Sequence, residues 1–106
     1  KFKTFIKLVE RGADPFYYWD QFAKSPLDLA AFARNRKIVN FLLKLYVEDK
    51  NYIESEKNHL SNALDCAYED TIIIANINNA IIQHQINQVK GTLNEWSDQF
   101  YGRQEI

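Results

Sequence analysis

The most reactive side chains lie close together in the second half of the chain, where His59 stands seven residues before Cys66. A thiol near a basic imidazole is the arrangement of a cysteine nucleophile and its general base. Cys66 is, however, accompanied by Leu64 and Ala67 on the predicted inner face of a helix, where a free cysteine packs as a small apolar residue. We therefore expect Cys66 to be buried and unreactive.

Two further sets of residues have the right types for catalysis or metal binding. Asp28 and Asp65 form a candidate carboxylate pair for acid–base catalysis, but both are predicted in the first turn of a helix, where a carboxylate interacts favourably with the helix dipole. His59 and His84 have no third ligand at metal-binding spacing. The three glycines are isolated, so no phosphate-binding loop occurs. The sequence predicts no enzyme, no metal site and no cofactor.

Composition narrows the class of protein further. The chain has 106 residues, 13 basic and 14 acidic side chains, and a formal net charge of −1. This length fits one domain, and the near-zero charge lacks the basic surface of most nucleic-acid-binding proteins. A single cysteine excludes an intrachain disulfide, and no apolar run approaches the ~18 residues of a membrane span. We expect a cytoplasmic protein that binds neither nucleic acid nor membrane.

The origin of the chain is indicated only by its composition. It starts at Lys1, contains no Met and is rich in Asn, Ile and Lys. We expect an excised piece of a longer protein from an AT-rich genome. If the parent is an effector of an intracellular pathogen, it acts in the host cytoplasm.

Apolar spacing predicts a series of helices. Residues 3–11 form the first, which ends before Gly12, a helix-terminating residue. Ser25 is the predicted N-cap of the second, with Pro26 at its first position. After a break at Arg34-Asn35, residues 38–45 form the third. The inner face of the second helix is predicted to contain Leu27, Leu29, Ala30 and Ala31.

The second half of the chain begins with a polar segment, residues 47–58, that predicts a loop. A helix is expected to start near Asn62, and a long helical stretch runs from Thr71 to about Phe100. Gly91-Thr92 is its only interruption, so the stretch forms either one helix or two.

Three motifs closely resemble the ankyrin repeat: Gly12-Ala13-Asp14, Ser25-Pro26-Leu27-Asp28-Leu29-Ala30-Ala31, and Ile38-Val39 with Phe41-Leu42-Leu43. Asp20 stands where the family has its loop Asp, and residues 62–67 resemble a decayed copy of the second motif, 37 residues later. The resemblance implies an all-α stack of helix pairs. Its parts are a partial repeat (1–14), a repeat (15–47), a degenerate repeat (48–70) and a long C-terminal helical cap or extension (71–106).

Several positions depart from the family pattern. Asp28 and Asp65 replace its usual His, so the bonds which that His makes are not expected here. Arg34 stands where the family has a left-handed Gly, a conformation that costs other residues roughly 1 kcal/mol. Tyr46 replaces the terminating Gly, so the following loop is expected to be irregular.

An aromatic loop is the strongest functional signal, with five aromatic residues among positions 16–22. Phe16 and Tyr17 are expected to pack under the neighbouring repeat, and exposed Trp and Tyr side chains elsewhere in the loop are typical partner-binding anchors. The resemblance implies that a protein partner contacts the loop tip and the concave face of the first repeat helix: Trp19, Gln21, Phe22, Lys24, Phe32 and Ala33. Weaker equivalents on the next repeat are Asn58, His59, Ser61, Glu69 and Asp70. Residues 50–57 are expected to be a solvated loop.

The tail carries a second candidate interface. Six residues recur at alternating intervals of four and three, the pattern of a helix that packs on another helix: Ile82, Ile86, Val89, Leu93, Trp96 and Phe100. An earlier stripe of Ile74, Ile77 and Ile81 points about 110° away. We expect the later stripe to bind a second helix of the parent or a bound chain, as in a homodimer. The alternative is that the helix breaks at Gly91 and folds onto its own repeats.

The sequence as a whole favours a non-catalytic protein–protein interaction module from the C-terminal part of an ankyrin-repeat protein. One alternative is a capping or dimerisation segment of a longer scaffold. Another is the non-catalytic appendage of an enzyme whose active domain lies upstream.

Overall fold

A computed structural model of the chain describes residues 2–17 and 24–101, with side chains up to Leu93. The described residues form six α-helices, in agreement with the predicted all-α fold: α1 (Phe2–Glu10), α2 (Pro26–Phe32), α3 (Arg36–Glu48), α4 (Glu54–Lys57), α5 (His59–Cys66) and α6 (Thr71–Tyr101).

The first helix ends as its sequence predicts. Gly12 has φ +102°, and its N–H donates to the carbonyl of Val9 while that of Ala13 donates to Leu8. These two bonds form a Schellman motif, in which glycine avoids the strain of a left-handed residue. Helix α1 then packs on α3, where Phe5 meets Phe41 edge to face at a centroid distance of 6.0 Å.

The start of α2 also follows from local capping chemistry. The hydroxyl of Ser25 accepts the N–H of Asp28 at 3.2 Å, and Asp28 Oδ2 accepts the N–H of Ser25 at 3.0 Å. This is a reciprocal capping box with Pro26 at the first helical position. Both members of the box are buried. Asp28 is therefore a structural residue, as predicted.

A tight joint connects α2 to α3. Arg34 is left-handed, with φ 57°, and its N–H donates to Ala31 while that of Asn35 donates to Ala30. The side chain of Asn35 then accepts the N–H of Ile38 at 3.2 Å and caps α3. Asn35 thus terminates one helix and starts the next.

A similar joint connects α5 to α6. Tyr68 is left-handed, with φ 48°, and Asp70 Oδ1 accepts the N–H groups of Ile73 and Ile72 at 3.1 and 3.2 Å. The guanidinium of Arg36, at the start of α3, lies 3.3 Å from the same oxygen. The two joints are therefore linked by an ion pair.

The core lies between two helix pairs. Helix α2 packs against α3 and α5, and α6 packs against the same two helices. The largest side chains that are fully buried are Tyr46, Leu27, Leu42, Leu60, Ile73 and Ile77. The predicted inner face of α2 is wrong at Leu29, which is 52% exposed, because Leu27, Ala30 and Ala31 occupy the side that faces the neighbouring helices.

The predicted loop and the predicted helix start that follows it are both wrong. Helix α3 continues to Glu48, α4 interrupts the polar segment, and α5 begins at His59 rather than near Asn62. Residues 50–57 are not simply solvated, because Tyr52 and Glu54 are buried. Since α5 starts earlier than predicted, Asp65 lies in its last turn and not in its first.

Helix α6 is continuous. Gly91 lies inside it, so the helix does not break at this position. A glycine lowers the stability of a helix but keeps every backbone hydrogen bond. The buried face of α6 consists of Ile73, Ile77, Ala80 and His84. Of the predicted early stripe, Ile77 is buried and Ile74 and Ile81 are half-buried.

Candidate protein-binding surface

The polar side chains of the interior form a network between α3 and α5. Tyr46 Oη and His59 Nδ1 are 2.9 Å apart. Tyr52 donates to the carboxylate of Glu54, which also accepts the N–H of Leu60 at 2.9 Å and that of Ser61 at 3.3 Å. A glutamate from the preceding segment therefore caps α5, whose own N-cap residue, Asn58, makes no side-chain capping bond.

Burial shifts the ionisation of this network toward uncharged forms. It raises the pKa of the phenols of Tyr46 and Tyr52, the latter also because of its bond to Glu54. It lowers the pKa of His59, with a further lowering by Lys57. Tyr46 and Tyr52 are buried, so neither phenol is an accessible nucleophile. The network therefore has the properties of a structural element that holds two helices together.

The residues proposed for catalysis are not assembled into a site. Cys66 is buried, as predicted, and it lies at the opposite end of α5 from His59, about 10 Å along the helix axis. Asp65 is exposed in the last turn of α5, whereas Asp28 lies in the first turn of α2. Within the described residues, no group of three His, Cys, Asp or Glu side chains has the geometry of a metal site.

His84 is a buried histidine on α6, and its ring lies 5.3 Å from that of Tyr52. Its Nε2 atom has no hydrogen-bond partner among the described residues. His84 also lines a cleft of about 890 Å³ between the end of α3 and α6, together with Asp49, Lys50 and Lys90. These charges are of mixed sign, so the cleft does not select an anion or a cation.

The exposed face of α2 carries the clearest binding surface. Phe32 is 63% exposed and meets Tyr68, which is 64% exposed, at a ring-centroid distance of 6.0 Å. Leu29, one turn before Phe32, and exposed Ala33 lie on the same side of α2. We call Leu29, Phe32, Ala33 and Tyr68 the aromatic surface. Lys24 lies beside it, since its ammonium is 3.5 Å from the thiol of Cys66.

The predicted binding residues fall into two groups. Lys24, Phe32 and Ala33 are exposed and lie on or beside the aromatic surface. Trp19, Gln21 and Phe22 lie outside the described residues. Just before them, Phe16 packs on Tyr46 at a centroid distance of 4.4 Å, within the predicted repeat 15–47 and not under a neighbouring one. Tyr17 is 57% exposed, which contradicts the expectation that it packs under a neighbour.

Sequence reasoning missed two members of the aromatic surface. Leu29 was assigned to the interior, although its position two residues after buried Leu27 puts it on the other side of a helix. Tyr68 was not considered, because it belongs to no helix face. The feature that places Tyr68 there is its left-handed conformation just after α5, which brings the tyrosine ring beside Phe32.

The weaker binding candidates on the next helix pair are mostly engaged inside the molecule. The hydroxyl of Ser61 donates to Glu54, and His59 contacts Tyr46. Asp70 is buried, and the N–H of Ile73 lowers its pKa, as does the guanidinium of Arg36. Asn58, Ser61 and Glu69 are the exposed residues of this group.

The second candidate interface lies on α6. Ile82, Ile86, Val89 and Leu93 are 53%, 41%, 58% and 60% exposed. Helix α6 also includes Trp96 and Phe100, whose side chains are outside the described part of the structure. Among the described residues, no helix combines the length and the apolar character that a membrane crossing requires.

In comparisons with known proteins, the chain matches no family model, no curated protein and no solved structure. The functional interpretation therefore depends on the two apolar surfaces described above.

Proposed function

We propose that the chain is a non-catalytic protein–protein interaction module that binds a protein partner through the aromatic surface and the neighbouring loop. The observation that carries this proposal is the exposed pair of Phe32 and Tyr68, which Leu29 extends to an apolar patch. Large aromatic side chains held at the surface by rigid helices are typical anchors of protein interfaces. Cys66 and Tyr46 are buried and His59 contacts Tyr46, which gives no comparable support to a catalytic function.

The proposal includes an ankyrin-like architecture. Two helix pairs, α2–α3 and α5–α6, have similar joints, and the N-cap residues Ser25 and Asn58 are 33 residues apart. Helix α2 packs beside α5 and α3 beside α6, as stacked repeats do. In this arrangement α2 and α5 are inner helices, and the aromatic surface lies on the side where ankyrin proteins contact their partners. Residues 15–47 would then be one repeat and residues 48–70 the start of the next.

Affinity capture with the immobilised chain tests this function. The variant Phe32→Ala with Tyr68→Ala removes the two exposed rings and should weaken binding of captured proteins roughly 30-fold. Leu8→Ala is the matched control, because Leu8 is 53% exposed but lies on α1, outside both the aromatic surface and the loop. Both variants should keep the thermal melting of the unmodified chain, since the replaced side chains lie outside the core.

Two outcomes would contradict the proposal. One is a set of captured proteins that the double variant retains at full strength. The other is equal loss in the double variant and in Leu8→Ala, which would indicate nonspecific adsorption to exposed apolar side chains. The companion variant Trp19→Ala with Phe22→Ala measures the contribution of the loop in the same assay.

A further inference from the structure

Residues 85–93 of α6 have no cover from the part of the chain that the structure describes. Every residue from Gln85 to Leu93 is exposed, although three of them are large aliphatic residues. An isolated helical segment of this length is marginally stable in water. The exposed residues Ile82, Ile86, Val89 and Leu93, which we call the α6 stripe, form an apolar face that is open to a partner.

The position of the α6 stripe excludes the neighbouring helices as its cover. At 100° per residue, the stripe is centred roughly 180° from the buried face formed by Ile73, Ile77, Ala80 and His84. Helices α3 and α5 pack on that buried face. A partner must therefore approach α6 from the side opposite to the core.

The spacing of the stripe indicates that the partner is a helix. Successive members are four, three and four residues apart. This is the spacing of apolar residues along the contact line of two helices that pack knobs into holes. This series reads the same in both directions. An antiparallel copy of α6 would thus place Ile82 against the partner's Leu93 and Ile86 against the partner's Val89.

Charge also favours a second copy. The residues that flank the stripe are Gln83, Gln85, Lys90 and Thr92, of which Lys90 alone is charged. The antiparallel arrangement places Lys90 beside the partner's Gln83, so it brings no like charges together. Such neutral flanks offer nothing to select a charged helix of another protein.

The stripe supplies about two thirds of the area that a stable dimer needs. A half-exposed aliphatic side chain offers roughly 100 Å², so four from each copy supply about 800 Å² of apolar surface. Contacts of the flanking side chains raise the buried area towards the ~1,200 Å² at which stable interfaces begin. We propose that two copies of this chain form a homodimer by antiparallel packing of their α6 stripes.

Mass measurement of the intact chain in solution tests the dimer. Light scattering after size exclusion should give twice the monomer mass of 12.5 kDa. Val89→Asp should give the monomer, because the partner's apolar side chains cannot solvate the carboxylate. Leu8→Asp is the matched control, with a side chain of similar exposure on α1, and should remain dimeric. A monomeric unmodified chain, or a dimer that persists in Val89→Asp, would overturn the proposal.

Two variants that each add one negative charge test whether the two α6 helices are antiparallel. Neither variant is designed to disrupt the dimer. Gln83→Glu places a carboxylate beside the partner's Lys90 in the antiparallel dimer and should lower the dimer dissociation constant about two- to fivefold at low salt. Gln85→Glu would do so only in a parallel dimer. Tighter association of Gln85→Glu, with Gln83→Glu unchanged, would overturn the antiparallel arrangement. Because this interface lies on α6, its failure leaves the proposed function of the aromatic surface untouched.

Discussion

The phenolic oxygen of Tyr46 lies 2.9 Å from Nδ1 of His59, and this contact joins α3 to α5 inside the protein. Tyr46 is fully buried and packs on Tyr52 at a ring-centroid distance of 4.7 Å. The contact therefore connects the two helix pairs through an aromatic cluster. An imidazole at this position makes the stability of the fold sensitive to acid.

The first prediction concerns pH. Burial holds the pKa of His59 below its ordinary value of 6.5, so the folded state binds this proton less readily than the unfolded chain does. Stability is therefore greatest above about pH 6.5 and falls as the pH decreases toward the folded pKa. His59→Gln should reduce the decrease in melting temperature between pH 7.5 and 5.5. An equal decrease in both proteins would show that His59 is not responsible.

The second prediction concerns the cap of α5. Glu54→Ala leaves the N–H groups of Leu60 and Ser61 and the buried hydroxyl of Tyr52 without their acceptor. It should lower the free energy of unfolding by about 3 kcal/mol. Glu56→Ala, on the exposed side of α4, is the control and should change it by less than about 0.5 kcal/mol. Chemical denaturation measures both, and similar values would contradict the capping role.

The third prediction concerns the left-handed residue between α2 and α3. Arg34→Gly should raise the free energy of unfolding by about 1 kcal/mol, because glycine adopts positive φ without the steric cost of a Cβ atom. Ala33→Gly, one residue earlier at φ −77°, should instead lower it. Thermal melting distinguishes the two, and destabilisation by both glycines would show that the Arg34 side chain is needed.

The fourth prediction concerns the packing of α2. Ala30 is 7% exposed, and its small side chain allows α2 to approach its neighbours closely. Ala30→Leu should therefore lower the free energy of unfolding by about 1–3 kcal/mol through overpacking. Ala33→Leu, at the exposed end of the same helix, should have little effect. An unchanged melting temperature for Ala30→Leu would mean that the inner face is misassigned.

Local chemistry explains which parts of the fold the sequence predicted. The start of α2 was predicted because Ser25, Pro26 and Asp28 act within three residues of one another. The start of α5 was not, because its cap is Glu54, whose carboxylate reaches backbone groups six and seven residues later. Such a cap depends on the fold of the intervening segment and has no short sequence motif.

The candidate site shows the same division. Phe32 and Ala33 were identified from their place in a motif, and the structure leaves both exposed. Tyr68 was missed because its contact with Phe32 spans two helix pairs. The interruption of the helical pattern at Gly91-Thr92 leaves one helix or two open in the sequence, whereas the helix continues through it in the structure.

The joint at Asn35 has a consequence for how this chain can change in length. Because the same residue terminates α2 and caps α3, the connection contains no spare residue to absorb an insertion. One added residue within α3 would turn everything after it by about 100° and would carry Leu42 and Tyr46 away from the core. The unit that can be gained or lost is therefore the pair of helices as a whole.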